Sequence, residues 1–400
     1  MNTKRIDFLI SNPNHHWQMV KPIIRVLKQR GEHTLRVISL CEFRRMETPR
    51  ASIAEEGVDL IVLPGFKRLG LETSAGKKSL GSSTSFKRTA VQRMVWYTYV
   101  RGAWNRAFAD GQTQVLMLLN DFAYPNNFIT KSLHRKNIPF CLLQEGIRFP
   151  LPNEPAEQGK GYGSMGSKYL FAWGAESRTY FEKTLSGKDF KVVVTGCPRF
   201  DVIRGQSFAT EIDDLKDKYP QGNITLGLFS NPIDDQGFCT SEEKEDLLRR
   251  FLTKAVPVVE RVNGRIWIKL HPREDAASVQ QIINNGNWQQ TVSLVQGNIF
   301  AVLKVVDVSI VLASTVGLES LLMGKPLGVL SLPNYGFVFN YVQSGGATGL
   351  VLDDDEFAEK LHQFIRQTAL SPDAHAYLKN SIGNIGTSAE HIADQLAKCK

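Results

Sequence analysis

No run of about eighteen apolar residues occurs anywhere in this chain, so no membrane-spanning helix is expected. The start, MNTKRIDFLIS, holds basic residues but only a strand-length apolar run. It lacks the longer apolar core and small-residue cleavage site of a secretory leader. Cysteine is scarce and scattered, at Cys41, Cys141, Cys197, Cys239 and Cys399. An odd number without metal-type spacing speaks against a disulfide framework or a zinc cluster and suits a reducing cytoplasm. Neither a P-loop nor a G-x-G-x-x-G fingerprint is present, which disfavours P-loop ATPases and nicotinamide enzymes. Without G-x-S-x-G, a serine hydrolase has no support. The acidic pairs Asp213–Asp214, Asp234–Asp235 and Asp353–Asp355 follow no strand end with a third ligand in view. They read as solvated turns and caps, so no metal and no cofactor is expected. No repeat at solenoid periods is evident.

What is present describes an ordinary globular chain: 42% apolar and 22% charged over 400 residues, enough for two domains. Its net charge of +8 is unevenly placed. Residues 1–190 carry 28 Lys+Arg against 16 Asp+Glu, or +12, and the remainder 20 against 24, or −4, within totals of 48 and 40. A basic first half suggests an acidic partner such as an anionic glycan, an anionic membrane surface or nucleic acid.

Short apolar strands alternate with helices along most of the chain. The first series of strands is Ile6–Ser11, Leu35–Leu40, Leu60–Pro64, Val115–Asn120, Phe140–Gln144, Tyr169–Trp173 and Val192–Thr195. The second is Ile224–Phe229, Ile266–Leu270, Val292–Val295, Val308–Leu312 and Leu327–Leu330. This pattern predicts an α/β protein of two Rossmann-like, doubly wound lobes facing a cleft, with parallel sheets covered on both faces. The expected domains are 1–188 and 189–382. A C-terminal helix over 383–400 is expected to cross back over the cleft. Ligands of such sheets sit beyond the carboxyl ends of the strands. A small-residue, basic loop spans 76–88, and MVWYTYVRGAW (94–104) is apolar almost all round. As a helix, 94–104 reads first as buried and second as resting at a bilayer interface beside that loop.

The most telling segment is IVLASTVGLESLLMGKP (310–326). A strand hands Ser314 and Thr315 to a fresh helix N-terminus, where unpaired N–H groups and the dipole favour a phosphate. Glu319 follows within reach of an attached ribose. In the same half, WIKLHPRED (267–275) delivers Lys269, His271 and Arg273 at a strand end. By alternation these share one side, where cations and an imidazole would hold a leaving phosphate. Protonated His271 would donate to the departing oxygen. Ser230, in the loop after another strand, gives a weaker phosphate signal. In VTGCPRFD (194–201), Arg199 and Asp201 suit either a ligand contact or a structural Arg–Asp pair. In the first half, SNPNHHWQMVKP (11–22) places His15 and His16 at a helix start, with Asn14 as the expected cap. LLQEGIRFP (142–150) places Glu145 at a strand end with Arg148 nearby. Glu145 and His16 are both candidate bases, and a carboxylate base works best with a raised or near-neutral pKa. A glycine-rich loop, 153–167, is expected to fold over an acceptor.

Taken together, Lys269-Leu-His-Pro-Arg-Glu274, Thr195-Gly-Cys-Pro-Arg-Phe-Asp201 and Ser314-Thr-Val-Gly-Leu-Glu-Ser320 with Gly324-Lys-Pro326 resemble bacterial GT-B glycosyltransferases of the capsule and surface-polysaccharide kind. These are related in fold to CDP-glycerol glycerophosphotransferases and UDP-N-acetylglucosamine 2-epimerases. Sialyl- and polysialyltransferases of this fold carry an acidic-acidic-Gly motif, an HP motif and a Ser/Thr motif. Here the corresponding residues are Gln144-Glu145-Gly146, His271-Pro272 and Ser314-Thr315, with Gln in place of one acid. The resemblance implies a metal-independent sugar transfer from a nucleotide-sugar donor to a surface polysaccharide or lipid-linked glycan. Glu145 would then be the base. Lys269, His271, Arg273, Ser314, Thr315, Glu319 and Ser230 would lie on the donor side, and His15, His16 and Arg148 on the acceptor. The expected location is the cytoplasm at the inner membrane face, with membrane contact through 76–88 and 94–104 and no nucleic acid. The rivals are a CDP-polyol phosphotransferase, a nucleotide-sugar 2-epimerase and a non-catalytic glycan- or nucleic-acid-binding protein using the basic first lobe.

Overall fold

The computed structural model describes residues 4–40, 47–63, 86–149, 161–185, 189–205 and 207–399. Most of the basic loop 76–88 and of the loop 153–167 lies outside them. The chain divides into two compact units. One runs to Gly205 and takes up the chain again from Asn380, and the other spans Gln206–Lys379.

The first unit is built on seven strands: β1 (Arg5–Ile10), β2 (Thr34–Ser39), β3 (Asp59–Val62), β4 (Thr113–Leu118), β5 (Phe140–Leu143), β6 (Tyr169–Ala172) and β7 (Lys191–Val194). Their order is β3-β2-β1-β4-β5-β6-β7, with every pairing parallel. β1 and β5 are buried on both faces, which is why they read as unbroken apolar runs rather than alternating ones. The exceptions are charged. Asp7 of β1 is fully buried, and Arg36 of β2 grips it through Nε and Nη2 at 2.8 Å each. Arg5 Nε at 3.1 Å and Thr113 Oγ1 at 2.7 Å complete its shell.

The second unit holds β8 (Thr225–Phe229), β9 (Arg265–Lys269), β10 (Val292–Leu294), β11 (Val308–Val311), β12 (Leu327–Leu330) and β13 (Thr348–Leu350). The order is β10-β9-β8-β11-β12-β13, again all parallel. Phe229 pairs with both Lys269 and Val311, so β8, β9 and β11 end level and release their loops at one edge. The three-residue β13 was not anticipated, because Thr348-Gly349-Leu350 has a glycine at its centre and carries no apolar run. Two α/β units with parallel sheets match the expected fold class.

The domain boundary differs from the expected 188/189. β7 pairs in register with β6 (Tyr169↔Lys191, Ala172↔Val194), so it completes the first sheet. The chain leaves the first unit only after Gly205. The last helix, Ser388–Ala397, packs on the helix Pro13–Arg30, with Arg30 Nη1 2.7 Å from Asp394. Asp201 caps it, accepting the backbone N–H groups of Gly386, Ser388 and Ala389 at 2.8–3.1 Å. That is a structural use of the VTGCPRFD motif. Gly196 allows the close approach: its φ is +85°, and a Cβ there would sit 2.2 Å from the Gly383 carbonyl oxygen.

The stretch expected as an all-round apolar helix lies in Phe86–Val95, a π turn Trp96–Val100 and Arg101–Ala107. Val95, Trp96, Val100 and Trp104 are buried, whereas Met94, Tyr97 and Tyr99 are exposed. No helix among the described residues is long and apolar enough to cross a membrane.

Candidate functional site

In the first unit the neighbour order reverses at β1 and β4, the position where such sheets receive ligands. The loop after β1 enters the helix Pro13–Arg30. Its N-cap is Asn12, whose Oδ1 accepts the His15 N–H at 3.4 Å, and Pro13 occupies the first helical position. The cap is therefore two residues before the expected Asn14, which falls inside the helix. This register turns His16 inward, where it is 2% exposed. Its Nδ1 accepts the Ser11 backbone N–H at 3.1 Å. A ring nitrogen that accepts cannot carry the proton, so the proton is on Nε2, which donates to Glu145 Oε1 at 2.9 Å.

Glu145, just beyond β5, is 30% exposed at its side chain. Burial pushes its carboxyl up, but the hydrogen bond and electrostatic attraction of His16, aided by His15 and Asn120, outweigh burial. Its pKa lies below the ordinary value, contrary to the raised value expected of a carboxylate base. His15 donates from Nε2 to the Glu145 carbonyl at 3.2 Å. Burial first, then the charges of Arg199 and His16, hold His15 down to about 4, so it is neutral at pH 7. The site thus presents one ionised carboxylate oriented by His16 and by a neutral His15.

Neighbouring residues explain two features that sequence reasoning missed. Tyr162 is the keystone under the carboxylate loop. Its hydroxyl accepts the Glu145 N–H at 3.1 Å and lies 2.9 and 2.8 Å from the carbonyls of Leu119 and Leu143. The Arg148 guanidinium lies 4.7 Å from the centre of the Tyr162 ring. Gln144, the apparent departure from an acidic pair, is fully buried. Its Nε2 donates to the Gly146 carbonyl at 2.7 Å and to Ser177 Oγ at 2.9 Å, while its Oε1 accepts the Trp173 N–H at 2.8 Å. An ionised acid at this position could not donate.

In the second unit the corresponding reversal lies between β8 and β11. The loop after β9 folds around Glu274, which sequence reasoning passed over. Its side chain is 2% exposed. Oε2 accepts the His271 backbone N–H at 2.7 Å, and Oε1 accepts from Ser230 Oγ at 2.6 Å and pairs with Lys244 Nζ at 2.8 Å. Ser230 is thereby committed to Glu274. The signal available in sequence was an acid three residues after the histidine, the spacing of a cap. His271 Nδ1 accepts the Arg273 N–H at 3.2 Å, which leaves Nε2 as the donor. Burial first, then the charge of Arg273, lowers the His271 pKa. The imidazole is therefore a neutral donor here, not the protonated one expected. Lys269 is half-buried, and burial lowers it too. Arg273 is exposed, 3.4 Å from Asp235.

Across β8, the loop after β11 presents Ser314 and Thr315. The Tyr341 hydroxyl donates to the Ser314 carbonyl at 3.0 Å, and Gly317 makes room for it, since a Cβ would meet the Tyr341 ring at 2.7 Å. Ser314 Oγ accepts the Val316 N–H at 3.3 Å. Asn231 Nδ2 ties the β8 loop to the Ala313 carbonyl at 2.8 Å. The helix Val316–Leu322 has only seven residues. Its dipole adds little, and the hydroxyls and cations carry whatever anion affinity this edge has. Glu319, expected on a ribose, is fully buried beside Tyr341 and offers no surface to a ligand in this arrangement. The ends of β9 and β11 are separated by one strand, roughly 10 Å, a span that a nucleoside diphosphate bridges. A cavity of about 240 Å3 is lined by Ser230, Glu274, Leu228, Leu247, Phe251 and Ile282 among others. Lys269, His271, Ser314 and Thr315 do not line it.

Residues 237–338 match the family model described as capsule polysaccharide biosynthesis protein, a segment that contains both strand-end motifs of the second unit. No curated protein matches the chain in sequence. Among solved structures, a glycosyltransferase from Rickettsia africae is similar over 100% of both chains at 13% identity, with a TM-score of 0.60. A UDP-GlcNAc 2-epimerase from Neisseria meningitidis bound to UDP-GlcNAc is similar over 98% of this chain and 100% of its own, at 13% identity and 0.60. An Anabaena protein in complex with UDP and glucose is similar over 99% and 100%, at 13% and 0.57. The fold is therefore the two-unit α/β fold shared by these transferases and epimerases. The family match and the fold agree with the resemblance to capsule-type GT-B proteins.

Proposed function

We propose that the protein is a metal-independent glycosyltransferase that moves a sugar from a nucleotide-sugar donor to a surface polysaccharide or lipid-linked glycan. One observation carries this reading: the capsule-biosynthesis match, 237–338, spans Lys269, His271, Ser314 and Thr315, which follow the level ends of β9 and β11 on either side of β8. Relatives of the same fold were solved with UDP-GlcNAc or with UDP and glucose, which supports a nucleotide-sugar partner.

In this reading the second unit takes the donor phosphates. Lys269, the Nε2–H of His271 and the two hydroxyls offset the charge that develops as the sugar–phosphate bond breaks. The first unit supplies Glu145, which accepts the proton of the acceptor hydroxyl as its oxygen bonds to the sugar. His16 is a positioning residue: its Nδ1 is occupied and its Nε2 already holds a proton, so it fixes the Glu145 rotamer. The low pKa of Glu145 keeps it ionised, at the cost of proton affinity.

The test is a nucleotide-sugar panel assayed for nucleotide release with and without glycan acceptors. Release that requires an acceptor is expected. Conversion of donor to its 2-epimer without acceptor would replace this reading with the epimerase one.

A further inference from the structure

The helical stretch ahead of β4 has a face that the transfer chemistry does not use. From Phe86 to Ala109 the chain contains no Asp or Glu. Arg93, Arg101 and Arg106 lie on its exposed side. Val91, Met94, Tyr97 and Tyr99 make up half of the large hydrophobics exposed among the described residues, and Met94, Tyr97 and Tyr99 are each about 50% exposed. The opposite side is anchored. Trp104 is fully buried and Trp96 nearly so, and Trp96 stacks on Phe128 with ring centroids 5.7 Å apart. The exposed residues therefore stand on a rigid base. The π turn Trp96–Val100 lies at the centre of the patch, closed by the Arg101 N–H on the Trp96 carbonyl. Such turns are rare and recur at functional positions. Arg101 lies 5.5 Å from the Tyr97 ring centre, so cation and aromatic share one face.

We propose that this face docks the protein on an anionic lipid bilayer. Tyrosine rings suit the headgroup layer, apolar at the body and polar at the tip. Methionine and valine reach beneath it, and arginines pair with lipid phosphates. The complete absence of acids favours a surface of one charge sign over a protein surface, which mixes both. The inference deepens the transferase reading, because a lipid-linked acceptor is presented at such a surface, but docking itself needs no substrate.

The experiment is co-sedimentation of the full chain with phosphatidylglycerol-containing vesicles and with pure phosphatidylcholine vesicles, at low and high salt. Binding to the anionic vesicles that weakens with salt is expected. The pairs Tyr97→Ser with Tyr99→Ser, and Arg93→Glu with Arg101→Glu, should each lower that partition by at least about tenfold, with unchanged thermal melting. Equal binding to both vesicles, or unchanged partition in both double variants, overturns the proposal. So does a dimer that the variants dissolve, since a second copy would then cover the face. A soluble acceptor separates the two readings. Variants that lose vesicle binding but still transfer to it uphold both. Normal vesicle binding without transfer by the wild type removes only the transferase.

Discussion

In the first unit, the loops leaving β1 and β5 meet on a single carboxylate, Glu145, held by the imidazoles of His15 and His16. In the second, the loops leaving β9 and β11 present Lys269, a neutral His271 donor and a hydroxyl pair, and the carboxylate there, Glu274, is turned inward. In the proposed reading, the same sheet plan carries a proton acceptor in one unit and an anion-binding edge in the other. Exposure decides which role each acid takes. The Glu145 side chain is 30% exposed, so part of its carboxylate reaches the surface. Glu274 is 2% exposed, with both oxygens engaged by Ser230, Lys244 and the His271 N–H, so it shapes a loop and does no chemistry.

The sharpest way to break this contrast is Glu145→Gln. Loss of a positioned base costs roughly 10²- to 10⁴-fold in turnover, read by steady-state nucleotide release with melting unchanged. Next in size is Glu274→Ala. Removing one partner of a buried ion pair costs about 3 kcal/mol, so the melting temperature should fall by several degrees and nucleotide affinity with it, as the His271 loop loses its anchor. A melting curve like that of the wild type would show that Glu274 is not the hub its contacts describe.

A smaller effect is expected of Gln144→Glu, which restores an acidic pair next to Gly146. It removes the donor to Gly146 and Ser177, and an unsatisfied buried group costs about 1–3 kcal/mol. Denaturant unfolding should show a loss of stability without a gain in turnover. The gentlest test is pH. His15, which faces His16, Glu145 and Arg199, is lowered from 6.5 to about 4. The unfolded chain therefore binds the extra proton first. Stability rises with pH between those values and is lost as pH falls through them, with a slope approaching about 1.4 kcal/mol per pH unit. Chemical denaturation of His15→Gln across that window should show a flatter profile.

Much of the fold was legible because parallel strands buried on both faces are apolar runs, and all the expected strands are present within a residue or two. β13 was not, because an edge strand of three residues with a glycine at its centre carries no such run. β7 was counted with the first series of strands, but the expected boundary at 188/189 cut it off from them, since pairing is a long-range property. Of the candidate residues, His16, Glu145, His271, Ser314 and Thr315 could be named from strand ends. Their states could not. The inward turn of His16 depends on Asn12 rather than Asn14 being the cap. The low Glu145 pKa depends on imidazoles about 130 residues away in sequence. Tyr162 acts through backbone groups, which leave no pattern in side-chain chemistry, and Glu274 left only the three-residue spacing of a cap. Asp7 and Arg36 look like surface charges in strands until β1 and β2 are paired.

Isothermal calorimetry with the preferred nucleotide, run on Glu145→Gln and His271→Ala beside the wild type, tests the division of roles most directly. Glu145→Gln should bind nucleotide as the wild type does while its turnover collapses, and His271→Ala should bind it at least about tenfold more weakly as turnover falls. Loss of nucleotide affinity in Glu145→Gln, or wild-type affinity and turnover in His271→Ala, would contradict the account.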